Sequence, residues 1–237
     1  MSARAGRVRL PALLLGVLLA TAACSAPPVA SGDAGGRLQV VATTTLLADL
    51  VRQVGGSRVD VASLVPKGGE VHTFDPNPAD AERLVRARLV IMNGLGLDDW
   101  LAGLIAKAGA TASVVRLAED LPDAAYLGTD GAPLAAGAVA NPHLWMDVGY
   151  ARGYVARIAD ALATVDPPGA AAYRTGAQAY DARLGTLDGW VRTTLAEIPA
   201  ADRRIVSFHD AFPYFAAAYG LTVVGTVVGS GPGPERR

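Results

Sequence analysis

Three histidines occur in 237 residues, and each sits where it could do coordination chemistry. His72 is the centre of Gly68-Gly-Glu-Val-His-Thr-Phe-Asp-Pro-Asn-Pro78. His143 lies in Asn141-Pro-His-Leu-Trp-Met-Asp147, and His209 in Val206-Ser-Phe-His-Asp-Ala-Phe212. Imidazole is the commonest side-chain metal ligand, and three rings this far apart in sequence converge only if a fold brings their loops together. The pattern predicts one metal ion held between loops. Taken singly, a loop histidine is more often a surface residue or a hydrogen-bonding one than a ligand. Glu70 and Asp75 flank His72, Asp147 follows His143 and Asp210 adjoins His209, so each ring has a carboxylate near it. These four could act behind the ligands or through a bridging water.

The elements that would position these loops read as alternating strands and helices. Leu38–Ala42 is a short β-rich run, followed by Thr43-Thr-Thr45 as a helix entry and by Leu46, Leu47, Leu50, Val51 and Val54 at helical spacing up to Gly55-Gly56. Arg58–Val65 reads as a second strand, and Asn77-Pro78 as a helix start with proline at the first position. Leu89–Met92 is a buried strand, Asp98 or Asp99 is expected to cap the next helix, and Val114–Leu117 is a fourth strand. This alternation predicts an α/β lobe with a parallel sheet over residues 37–165.

A loop rich in glycine and proline, 118–140, then delivers His143, and a helix runs from about Tyr150 to Ala163. Asp166-Pro167 is expected to cap a long helix over 166–198. Tyr173, Ala177, Tyr180, Leu184, Leu187, Val191 and Leu195 recur along it every three or four residues, and Gly176, Gly185 and Gly189 lower its propensity, so packing must hold it. Beyond it, Arg204–Phe208 and Leu221–Val228 read as strands around a helix from Ala211 to Tyr219. Residues 199–237 are expected to form an incomplete second α/β lobe, because apolar parallel strands need cover on both faces. The fold class is thus α/β, two parallel-sheet lobes joined by one long helix, the second lobe incomplete. His72 and His209 would each follow a strand at its carboxyl end, where open α/β sheets bind ligands. The start of a helix beside His209 would disfavour a charged ring.

The N-terminus reads as an export signal over 1–23, with Arg4, Arg7 and Arg9 before the apolar run Leu10–Ala20 and the small residues Thr21-Ala22-Ala23. The one cysteine of the chain, Cys24, follows directly and resembles the lipidated cysteine of a bacterial lipoprotein, although Thr21 stands where leucine is usual. Two acyl chains there would anchor the protein stably. With no second cysteine, an intramolecular disulfide is excluded. Residues 24–36 have the composition of a flexible tether. A formal charge of −1, from 21 basic and 22 acidic residues, gives no footprint for nucleic acid. Nothing resembles a nucleophile elbow or a phosphate loop.

Thr43-Thr-Thr-Leu-Leu-Ala-Asp49, Gly69-Glu-Val-His-Thr-Phe-Asp-Pro76, Asn93-Gly-Leu-Gly-Leu-Asp-Asp-Trp-Leu101, Asn141-Pro-His-Leu-Trp-Met-Asp147 and Phe208-His-Asp-Ala-Phe-Pro-Tyr-Phe215 are together similar to the signature segments of the metal-binding lipoproteins that feed zinc and manganese ABC importers. The resemblance spans about Leu38 to Val228. It implies two α/β lobes joined by a rigid helix, with Zn2+ or Mn2+ bound between them by His72, His143 and His209. It implies a monomer, lipid-anchored on the extracytoplasmic face of the bacterial membrane, that hands its ion to the transmembrane subunit of an ABC permease. Adhesion is an associated property of the family. A third histidine, where some manganese members have a carboxylate, favours zinc. Val148 stands where proline is usual. The family's fourth ligand, usually an aspartate, would lie beyond residue 237, so a truncated member is expected. Two other readings are a poorly functional remnant of the family and a three-histidine zinc hydrolase with an activated water.

Overall fold

The computed structural model describes residues 36–228, together with Ser2. The rest of the export signal, Cys24, nearly all of the tether and residues 229–237 lie outside the described residues. Four short apolar runs become a parallel sheet: β1 Leu38–Ala42, β2 Val59–Ser63, β3 Leu89–Met92 and β4 Ser113–Arg116, in the order β2-β1-β3-β4. Helices α1 (Thr45–Gly55), α2 (Pro78–Arg86) and α3 (Trp100–Ala108) connect them. In register, Val40 pairs with Val61 on one side and Leu89 on the other, so β1 and β3 are the central strands.

Alternation along those strands divides the core in two, because successive side chains point to opposite faces. Val40, Ala42, Leu89 and Ile91 pack toward α1 and toward two later helices, α4 (Val148–Val165) and α5 (Ala170–Ala196). Val41, Val90 and Met92 face the other way, onto Leu84 of α2 and Leu101 of α3. A fully buried aliphatic side chain of this kind contributes about 1.5–3 kcal/mol of transfer free energy.

Helix starts follow local chemistry. The Thr44 hydroxyl accepts from the Leu47 amide, 3.3 Å, at the head of α1. At α2 the Asn77 side chain accepts from Ala79, 2.9 Å, while Asp80 accepts in return from the Asn77 amide, 3.0 Å. Proline at the first position completes this start, since its missing N–H would have no partner there. Asp147 caps α4 by accepting from the Gly149 amide at 2.7 Å.

Two expected caps are corrected. Asp99 precedes α3 but its side chain makes no capping bond, and Asp98 turns back into the body of the protein instead. Asp166 does not cap the long helix, which starts at Ala170 after a short turn, Pro167–Gly169. Its carboxylate receives Arg58, 3.1 Å, and the Tyr173 hydroxyl. The long helix α5 has 27 residues, so it is about 40 Å long at 1.5 Å per residue. Tyr173 and Leu184 are its buried anchors; Tyr180, Val191 and Leu195 are partly covered, and Leu187 is exposed. Gly176 has a positive reason to be glycine: a Cβ there would lie 2.3 Å from the Val54 carbonyl oxygen, so α5 crosses the end of α1 backbone to backbone.

After α5, β5 (Arg204–Ser207) and β6 (Thr222–Thr226) pair in parallel around α6 (Pro213–Tyr219), with a register irregularity between Ile205 and Val206. α6 packs inward through Tyr214 and Tyr219, whereas Val206, Phe208, Val224 and Val227 are exposed. All these elements fall in one compact unit that begins at Arg37. Among the described residues, no helix is long and apolar enough to cross a membrane.

Candidate metal centre

Each histidine stands on a different kind of support. His72 sits in the loop between β2 and α2, exposed to solvent. Glu70 accepts from the His72 backbone amide at 3.0 Å, and the Trp100 indole donates to the Val71 carbonyl at 3.2 Å, with Phe74 packed on that indole at 5.2 Å. His209 follows β5 and is half-buried. α6 starts four residues later, at Pro213, so the expected helix terminus beside His209 is corrected and carries no electrostatic argument.

His143 is the buried member, at 3% exposure. It lies just before α4, with Trp145 against its ring at 5.1 Å. Burial pushes its pKa down to about 3, and the neighbouring His209 and His72 rings push the same way, since three positive charges cannot share so small a space. The ring is therefore neutral at neutral pH, the form that binds metal.

The structure brings the three rings together. Among the described residues they are the one group whose ligand-capable atoms all lie within 4.8 Å of one another. Ring centroids are 5.2 Å apart for His143 and His209, 6.1 Å for His72 and His143, and 6.5 Å for His72 and His209. The Nε2 atoms of His143 and His209 are 3.4 Å apart. A tetrahedral ion with bonds of about 2.0–2.1 Å holds its donor atoms about 3.3–3.4 Å apart.

The four carboxylates differ. Glu70 shapes the His72 loop through the bond described above, and Asp75 is exposed. Asp147 is committed to capping α4, and burial pushes its carboxyl up. Asp210 is buried, and both of its carboxylate oxygens lack a hydrogen-bond partner among the described residues. An ionised carboxylate in that state is costly unless a cation lies close by.

Sequence reasoning missed the polar residues that hold the site. At the carboxyl ends of β1 and β3 stand Thr43 and Asn93, both fully buried. The Asp98 carboxylate gathers them, accepting from the Thr43 hydroxyl (2.7 Å) and from the amides of Asn93 (2.7 Å) and Gly94 (2.9 Å). Burial nevertheless raises the Asp98 pKa. Gly94, at φ 85°, makes the turn possible, and a Cβ there would meet Glu119 at 2.6 Å. The Asn93 amide then donates to the Pro142 carbonyl, 3.0 Å, and accepts from the Tyr154 hydroxyl, 2.8 Å. Asn141 donates to the Asp210 carbonyl, 2.7 Å, joining the His143 segment to the His209 loop. The available signal was the polar residue that directly follows each apolar strand, Thr43 after Val-Val-Ala and Asn93 after Leu-Val-Ile-Met.

The chain resembles known metal-binding proteins along most of its length. Residues 40–236 match the family described as zinc-uptake complex component A, periplasmic. The manganese-binding lipoprotein MntA of Halalkalibacterium halodurans is 32% identical over 213 residues, covering 90% of this chain and 68% of that protein. The iron ABC transporter substrate-binding lipoprotein MtsA of Streptococcus pyogenes is 30% identical over 217 residues, covering 88% of this chain and 68% of that protein. The solved periplasmic zinc-binding protein TroA of Treponema pallidum superposes with a TM-score of 0.75 at 30% identity, covering 85% of this chain and 70% of that one. With its paired parallel sheets, long helix and converged histidines, this chain belongs to the zinc-uptake complex component A family, metal-binding substrate-binding proteins of ABC transporters rather than enzymes.

Proposed function

We propose that the protein captures a divalent ion, zinc in preference to manganese, with His72, His143 and His209, and delivers it to the transmembrane subunit of an ABC permease. The observation that carries this reading is the convergence of three imidazoles from loops far apart in sequence. The ion is cargo, so the site must both hold and release it. His143 forms the buried floor, and exposed His72 forms the mouth through which the ion enters and leaves. The 3.4 Å spacing of the two Nε2 atoms fits the edge of a tetrahedral zinc site. The Asp210 carboxylate, which makes no hydrogen bond among the described residues, offsets the ion's charge from the position next to His209 in the chain. Glu70, Asp75 and Asp147 act at longer range.

In this reading residues 37–165 and 199–237 act as two lobes on either side of the ion, linked by the helix within 166–198. The protein acts as a monomer. It is tethered through Cys24 to the extracytoplasmic face of the bacterial membrane, and the word lipoprotein in the names of the MntA and MtsA relatives supports a lipid anchor.

Equilibrium competition between zinc and manganese tests the reading. One ion per chain is expected, with zinc the tighter, and His143→Ala is expected to weaken zinc binding by roughly 100-fold or more. Tighter manganese binding would reverse the metal assignment. Failure to bind either ion would remove the function.

A further inference from the structure

Asn141 is fully buried, and both ends of its side-chain amide are assigned by partners whose roles chemistry fixes. Nδ2 lies 2.7 Å from the Asp210 carbonyl oxygen, which can only accept. Oδ1 lies 3.0 Å from the His143 backbone N–H, which can only donate. The amide therefore has one satisfactory orientation. Its Oδ1 also meets His143 Nδ1 at 2.9 Å, and two acceptors cannot share that contact, so the ring proton is on Nδ1. In a neutral ring this leaves Nε2 as a lone pair. That Nε2 faces His209 Nε2 at 3.4 Å, across the space between the two rings.

The Asn141 backbone is itself held on both sides. Its N–H donates to the Leu127 carbonyl at 2.8 Å, and its carbonyl accepts from the Tyr214 hydroxyl of α6 at 2.9 Å. That hydroxyl also accepts from the Leu127 amide at 3.1 Å. The amide plane is thus fixed before any ion arrives.

We infer that Asn141 is a positioning residue whose single amide sets the tautomer of His143, leaving Nε2 ready for a cation, and ties the His143 segment to the His209 loop. Its purpose rests on the metal-binding reading above, while its geometry does not. An imidazole in water favours the proton on Nε2, so the opposite tautomer in the protein is a diagnostic signature.

The test is long-range proton–nitrogen NMR of the purified metal-free protein with 15N-labelled histidine at pH 8. His143 is expected to show a protonated Nδ1 and a bare Nε2. A protonated Nε2 on His143 in the wild type overturns the inference without recourse to any variant. Asn141→Ala is expected to shift His143 toward the Nε2-protonated form and to lower zinc affinity by about 10- to 100-fold. An unchanged tautomer in that variant also overturns it. Asn141→Asp keeps an acceptor at Nδ1 but has no donor for the Asp210 carbonyl. It is expected to restore the tautomer while recovering only part of the affinity. A wild type with the expected tautomer that binds neither zinc nor manganese removes the metal reading and leaves the positioning role standing. One that binds zinc with the other tautomer does the reverse.

Discussion

The two parallel sheets are built from the same unit, strand to helix to strand, yet they are held by different means. In the first, β1 and β3 are covered on both faces, and all four residues of β3 are buried. In the second, α6 lies against one side while Val206, Phe208 and Val227 stand about 70% exposed, at 67%, 72% and 68%. Parallel pairing is the weaker kind of ladder, so cover rather than pairing decides how firmly such strands are held. The largest expected effect follows from this contrast. Ile91→Ala should lower unfolding free energy by about 2–5 kcal/mol, whereas Val206→Ala should change it by no more than about 0.5 kcal/mol. Urea unfolding of both variants checks it. Similar losses at the two positions would mean that the open face of the second sheet is covered in solution.

The loops at the strand ends repeat the contrast in polar form. Above the first sheet, Asp98 satisfies Thr43 and the turn at Asn93-Gly94, and Asn93 in turn holds the Pro142 carbonyl beside His143. Above the second, the His209 loop is tied back through the Asp210 carbonyl to Asn141, and the Asp210 carboxylate makes no hydrogen bond among the described residues. Asp98→Ala would leave two buried backbone N–H groups without an acceptor, at an expected cost of about 2–3 kcal/mol. Because the same turn carries Asn93, zinc affinity should fall as well. A destabilised Asp98→Ala protein that binds zinc with wild-type affinity would show that the turn supports the fold and not the site.

The sequence was most readable where one local rule decides the outcome. Leu89–Met92 is apolar at every position because both faces of β3 are buried, and Asn77-Pro78 marks the start of α2 because the capping box spans only four residues. It was least readable where a partner lies far away in the chain. Asp98 looks like a helix cap from its neighbours, but the hydroxyl it binds belongs to a residue 55 positions earlier. Asn141 looks like a turn residue before proline, but its amide reaches across 69 positions to Asp210. The histidines themselves were visible as candidates, since His72, His143 and His209 are the whole complement. Their convergence was not visible from spacing, because it depends on three loops being carried to one place by two sheets.

The smallest effect tests whether the firmly held region includes His143. Burial holds its pKa near 3, well below the ordinary value of 6.5, so the folded protein refuses a proton that the unfolded chain accepts. Above about pH 6.5 both states leave the ring neutral and this group makes no difference. Between about pH 6.5 and 3 the unfolded state binds more protons, so stability falls as pH falls, by about 1.4 kcal/mol per pH unit. His143→Gln removes the titrating group, so its stability in the metal-free form should decline less steeply than that of the wild type between pH 6.5 and 5. Urea unfolding at several pH values measures both slopes. Equal slopes would mean that the folded protein admits a proton to His143, and that the floor of the site is as open to water as the second sheet.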